Sequence, residues 1–192
     1  ALKPAAEKMT VDTIFDVASL TKVVATAPSI LILIEEGKLR LADPVTRYIP
    51  DVAAGGGDRS KITIEQLLTH RAGLAPDDPL DLYTGSPDEI FARKYRQPLQ
   101  SRPGAEFVYS DVGYEILGEI VRRVSGQPLD RFAQQRIFQP LGMTETGFRP
   151  VATSGRLDVS RVAPTEQREG RWMRGEVHDP RAYAVGGVAG HA

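Results

Sequence analysis

The longest apolar segment of the chain, FDVASLTKVVATAPSILILIEEGKL from Phe15 to Leu39, constrains what the rest can fold into. After Asp16, residues 18–36 form a long apolar stretch that reads as a buried helix. Gly37 then supplies a residue able to take the left-handed conformation that ends one. Pro28 lies inside this stretch. It has no N–H to donate and its ring crowds the carbonyl four residues back, so a kink or a loosened turn is expected around Val24. Ser19 and Lys22 sit three residues apart, on one helical face, at the mouth of a helix otherwise built for burial. A lysine in that place either reaches water or has a chemical task.

The remaining composition narrows the tasks. The 192 residues are 41% hydrophobic and 26% charged, which suits one sizeable core. The formal net charge is −1 and no basic run is interleaved with aromatics, so nucleic acid is not an expected partner. The apolar run from Ile30 to Ile34 is shorter than the ~20 residues that span a bilayer, and the opening ALKPAAEKM has no apolar core of a leader, so no membrane segment is expected. Cysteine is absent, which removes disulfides, thiolate catalysis and Cys-ligated metals. The three histidines, His70, His178 and His191, form no metal-binding pair, and a metal site is not expected. The chain begins with alanine and ends just past the glycine-rich VGGVAG without a closing element. It reads as a single partial domain over 1–192, truncated at both ends.

Helix signals dominate. Thr63-Ile-Glu-Gln66 and Ser86-Pro-Asp-Glu89 are capping boxes, the second with proline at its favoured first position. The first is expected to open a short helix ending near Gly73, the second another helix. From Ser110, the residues Val112, Ile116, Leu117, Ile120, Val121 and Val124 recur at helical spacing up to Gly126. Pro128 opens a further helix that Pro140 and Gly142 stop, with Leu129, Phe132 and Ile137 facing the core. Strand signals are few, the best being a short hairpin in APTEQREGRWMRG around Glu169-Gly170.

Two short motifs could carry chemistry. In Ser19-Leu-Thr-Lys22 an amine lies within reach of a hydroxyl, which becomes a useful nucleophile only when a base takes its proton. A partial positive charge at a helix N-terminus would help. The alternative is a capping serine beside a solvated lysine, and a pattern this short arises by chance. In Tyr109-Ser110-Asp111, the tyrosine sits at a loop-to-helix junction where a phenol can work as a general base, and Asp111 could hold the lysine ammonium. The alternative is that Ser110 or Asp111 merely caps the helix while Tyr109 packs over it.

A wider resemblance carries both motifs. The blocks VDTIFDVASLTK, EEGKLRLADPVTRYIPD, ITIEQLLTHRAGL, RPGAEFVYSDVGYEILGEIVRRVSGQPL and FQPLGMTETGF, in that order from Val11 to Phe148, resemble the β-lactamase-related serine hydrolases. That family includes class C β-lactamases, low-molecular-weight penicillin-binding proteins acting as D-alanyl-D-alanine carboxypeptidases, and esterases. The ending, APTE followed by GEVHDPRAYAVGGVAGHA, resembles periplasmic or secreted members. The resemblance implies a mainly α chain, the helical central part of the α/β fold with most of the antiparallel sheet missing. It places the nucleophile on Ser19, the helix lysine on Lys22 and the tyrosine of the Tyr-x-Asn motif on Tyr109. It implies an acyl-enzyme mechanism on a small ester, an amide such as a peptidoglycan-type D-alanyl peptide, or a β-lactam, with no cofactor.

Two departures stand out. The third residue of the tyrosine motif is Asp111, and an ionised carboxylate only accepts hydrogen bonds where asparagine would also donate. A salt bridge to Lys22 is the more natural role. The family's third motif, Lys-Thr-Gly or His-Thr-Gly on an edge strand, occurs nowhere in the chain. That loss favours a rival reading, a catalytically silent binding or scaffold domain of the same fold. The other notable residues read as structural. His70 is expected to hydrogen-bond backbone rather than catalyse, Asp43-Pro44 and Pro50-Asp51 to form turns, and Trp172 to cover a hairpin. His178, His191 and the cluster Gly186, Gly187 and Gly190 stay open.

Overall fold

The computed structural model describes residues 4–148 and 158–185. These residues are largely helical, with one two-stranded antiparallel ribbon. The first helical run begins as a 3-10 turn, Ala18–Leu20, widens into a π turn, Lys22–Thr26, and continues as α1, Ala27–Glu35. In the π turn the Ala27 N–H reaches back five residues to the Lys22 carbonyl. This is the loosening that Pro28 demands, since its ring would crowd the Val24 carbonyl of a regular helix. Gly37, at φ 70, turns the chain away.

Local capping sets the next elements. α2, Ile64–Leu68, and α3, Pro87–Lys94, each start at a complete capping box, in which side chain and backbone of the first and fourth residues satisfy one another. α4, Asp111–Ser125, is capped by Ser110 Oγ, which accepts from the Gly113 N–H at 3.2 Å, and Gly126 ends it at φ 74. α5, Leu129–Ala133, follows Pro128 and runs on as a π turn, Gln134–Phe138. β1, Gln167–Arg168, and β2, Arg171–Trp172, are joined through Glu169 and Gly170, both at positive φ, as a tight hairpin requires. Trp172 is half-buried over this ribbon. α6, Pro180–Ala184, is capped by Asp179.

α4 is the hub. Its Ile116, Leu117, Ile120 and Val121 are buried against Ala25, Ile30 and Leu33 of the first helical run, Ile64 and Leu67 of α2, and Leu129 and Phe132 of α5. Removing one such side chain from a packed core costs about 2–5 kcal/mol. By length and composition Ala18–Glu35 would pass for a membrane-crossing helix. In the fold its apolar stripe lies in the core, while Leu20, Val23 and Leu31 remain exposed on its outer side.

One expected boundary is corrected. α2 ends at Leu68 rather than near Gly73, because His70 takes the left-handed conformation at φ 57 and turns the chain early. Gly73 serves another purpose. It sits at φ 74 where a Cβ would come 2.2 Å from the Ser101 carbonyl oxygen, so only glycine admits that crossing segment.

Residues ahead of the first helix are tied to the far end of the chain. Ile14 forms an isolated parallel bridge with Val162, donating to the Arg161 carbonyl at 2.9 Å and accepting from the Ala163 N–H at 2.8 Å. The open questions at His191 and at Gly186, Gly187 and Gly190 lie outside the described residues.

Candidate active site

Ser19 lies in the 3-10 turn and Lys22 opens the π turn, so the two side chains leave the same side of one coil. Lys22 Nζ donates to Ser19 Oγ at 3.1 Å. The lysine is not solvated, at 3% exposure, and it forms an ion pair with Asp111 Oδ1 at 2.5 Å. An ammonium taken out of water needs such a partner, and Asp111 is delivered as the first residue of α4. Aromatic faces complete the surroundings, with Nζ 5.0 Å from the Tyr109 ring centroid and 5.6 Å from that of Tyr114.

The Tyr109 segment is held by backbone. Val108 N–H donates to the His70 carbonyl at 2.9 Å, and Asp111 N–H donates to the Pro76 carbonyl at 2.8 Å. Ser110 N–H donates to His70 Nδ1 at 3.0 Å, and Ser110 Oγ donates to the Ala75 carbonyl at 2.6 Å. His70 therefore does hydrogen-bond backbone, as expected, and does more. Its ring lies between those of Tyr109 and Tyr114, with centroids 4.5 and 5.0 Å away. Burial, and then the Lys22 charge, push the His70 imidazole below its ordinary value, with Asp111 opposing. A neutral ring is also what an accepting Nδ1 requires.

Ser19, Lys22, Tyr109 and Asp111 are thus brought to one place at the junction of the first helical run and α4. Tyr109 is 47% exposed and Ser19 half-buried, so the hydroxyl lies at an accessible edge rather than in the core. Tyr114 was not legible as part of this site. Its Oη donates to the Leu68 carbonyl at 3.1 Å, and burial followed by the neighbouring Tyr109 pushes its phenol up. Asp16, to which the sequence reading assigns no role, joins Ala18 to His178 beside the serine. Among the described residues, no group of three or more His, Cys, Asp or Glu side chains is arranged to hold a metal ion.

A family model described as Beta-lactamase matches residues 1–192. A putative D-alanyl-D-alanine carboxypeptidase of Escherichia coli (strain K12) is 37% identical over 96% of this chain and 48% of its own length. The chain spans about half the length of the curated relatives it matches. Among solved structures, the octameric penicillin-binding protein homologue from Pyrococcus abyssi superposes with a TM-score of 0.72 at 28% identity, covering 95% of this chain and 42% of that one. The D-amino acid amidase from Ochrobactrum anthropi SV3 gives a TM-score of 0.64 at 31% identity, over 81% and 44% of the two chains. With a family match over its whole length and a helical body that superposes on solved members, the chain belongs to the Beta-lactamase family of hydrolases.

Proposed function

We propose that the protein is a serine hydrolase working through an acyl-enzyme on small amides or esters, with a D-alanyl peptide or a D-amino acid amide the preferred substrate and β-lactams behind them. The observation that carries this reading is the 3.1 Å contact between Ser19 Oγ and a buried lysine that Asp111 holds in place. Ser19 Oγ attacks the carbonyl carbon while its proton passes to the Lys22/Tyr109 pair. Tyr109 protonates the leaving group, and water then hydrolyses the acyl-serine by the reverse relay. Asp111 acts as an acceptor that orients the ammonium, so it does not donate to a substrate amide as asparagine would. The names of the relatives and neighbours, a carboxypeptidase and D-amino acid amidases, support the choice of substrate class.

The test is covalent labelling of the full-length protein with a fluorophosphonate and with a fluorescent penicillin. Labelling that disappears in Ser19→Ala supports the enzyme. Failure of both probes on folded protein would leave the catalytically silent binding domain as the better reading. Residues 1–192 expressed alone are expected to turn over no ester. The sequence holds no Lys-Thr-Gly or His-Thr-Gly strand to supply a second oxyanion donor, and one such donor is worth about 10²–10³ in rate.

A further inference from the structure

Ser19 is preceded by the only alanine among the described residues with a positive φ, Ala18 at 46°. An L-residue with a Cβ pays for that conformation, and it persists only where neighbours over-determine it. The neighbour here is Asp16. Its Oδ1 accepts from the Ala18 N–H at 2.8 Å, and its Oδ2 lies 2.7 Å from His178 Nδ1. The His178 backbone N–H also points at Oδ2, at 3.5 Å. One carboxylate therefore spans the strained residue and a histidine 162 positions away.

His178 is itself fixed from three sides. Val177 is buried before it, Asp179 caps α6 after it, and Arg168 donates to its carbonyl. The segment that carries it shares a border with residues 10–16. Arg161 donates to the Asp12 carbonyl at 2.9 and 3.0 Å, and Ile14 bridges to Val162. Asp16 is only 10% exposed, so its charge needs the two partners it has.

We propose that Asp16 and His178 are positioning residues for the nucleophile: the pair holds Ala18 in its left-handed conformation, and through Ala18 sets the direction of Ser19 Oγ toward Lys22. Neither touches the reacting atoms. Their effect passes through a single backbone unit, from the carboxylate to the Ala18 N–H to the next residue, Ser19. This rests on the reading of Ser19 as nucleophile, and a misplacement of about 1 Å at a reacting atom can cost about 10²-fold in rate. Asp16→Ala removes both contacts and is expected to slow Ser19 acylation by about 10- to 100-fold. His178→Ala leaves the Ala18 contact and is expected to cost less. His178→Asn keeps an N–H donor near the place of Nδ1 and is expected to recover most of the loss.

The experiment measures fluorophosphonate acylation of the full-length protein, resolved into the rate at saturation and the half-saturating concentration, alongside thermal melting. The pair acting by position predicts that the saturated rate falls in Asp16→Ala and His178→Ala while half-saturation and melting temperature hold. A second arm repeats His178→Ala in an Ala18→Gly background. Glycine takes positive φ without steric cost, so the effect of losing His178 should shrink there. An unchanged saturated rate in Asp16→Ala and His178→Ala overturns the proposal. So does a loss that follows melting temperature alone, or one equally large in the Ala18→Gly background and with Ala18 in place. Should wild-type labelling survive Ser19→Ala, the nucleophile reading itself fails, which is a separate result.

Discussion

Lys22 and Lys94 are the two buried lysines among the described residues, at 3% and 1% exposure. Each is paired with a carboxylate carried by α4, Asp111 at its first residue and Glu115 one turn later. Lys94 is ringed by polar partners. Nζ lies 2.6 Å from Asp78, 2.5 Å from Glu115 and 2.7 Å from Tyr83 Oη, which in turn donates to Glu115 at 3.0 Å. Burial pushes the Glu115 carboxyl above its ordinary value against the pull of Lys94, and burial and then Glu115 push the Tyr83 phenol up. Among the described residues no serine hydroxyl reaches Lys94, and the cluster ties α3 to α4. Around Lys22 one side is a serine hydroxyl and an exposed tyrosine. A buried lysine with an acid and a tyrosine is thus not in itself a site. The Ser19 hydroxyl and the open edge set the Lys22 cluster apart.

The comparison can be broken most sharply by activity. Ser19→Ala should abolish acylation, a loss on the order of 10⁶ for a serine nucleophile, and Lys22→Met should come close to it. Lys94→Met, assayed at a temperature where it is folded, should acylate within a few-fold of wild type. A Lys94→Met protein that is folded yet dead would erase the distinction. Stability should rank the other way. Lys94→Met leaves Asp78 and Glu115 facing each other in the core, and urea denaturation should show a loss of about 3–5 kcal/mol, as for a broken buried ion pair. Lys22→Met removes the ion-pair partner of the partly solvated Asp111 and should cost less, about 1–3 kcal/mol. Equal losses would mean that both clusters are braces.

Ser110→Ala strikes both regions together, since the α4 cap presents Asp111 and Glu115 alike. Denaturation should show about 1 kcal/mol, the usual worth of a helix cap. The smallest effect concerns only the open region. The His70 pKa is lowered in the fold from 6.5, so below pH 6.5 the unfolded chain takes up its proton first. Its contribution is present above that value and fades as pH falls toward the folded pKa. Wild-type stability should therefore drop more steeply than that of His70→Gln as pH falls below 6.5, and parallel curves would remove that role.

Much of the helical frame was readable because its causes are local. The boxes at Thr63 and Ser86, the stop at Gly126 and the widening ahead of Pro28 each depend on residues within a turn or so. The pairing of Ser19 with Lys22 was readable for the same reason, and Asp111 became so through its departure from asparagine. The end of α2 was not, because His70 turns the chain in order to meet Tyr109 and Ser110, 40 positions on in the case of the serine. Nor was the Asp16–His178 contact, across 162 positions. No periodicity marks an aspartate that will accept from its own loop and from the far end of the chain.

The wide turn at Lys22–Thr26 has a consequence for register. A π turn carries roughly one residue more than an α turn, and each residue of a helix advances about 100° around its axis. The coil therefore changes phase between the serine and the buried stripe of Ile30 and Leu33. Replacing Pro28 so that the helix closes normally, with Val23 kept, would leave Ser19 and Lys22 in the sequence. It would still swing Ser19 and Lys22 about 100° around the helix relative to the core, away from Asp111. Proline at position 28 thus acts as an angular setting, fixing from the buried end which way the open end faces.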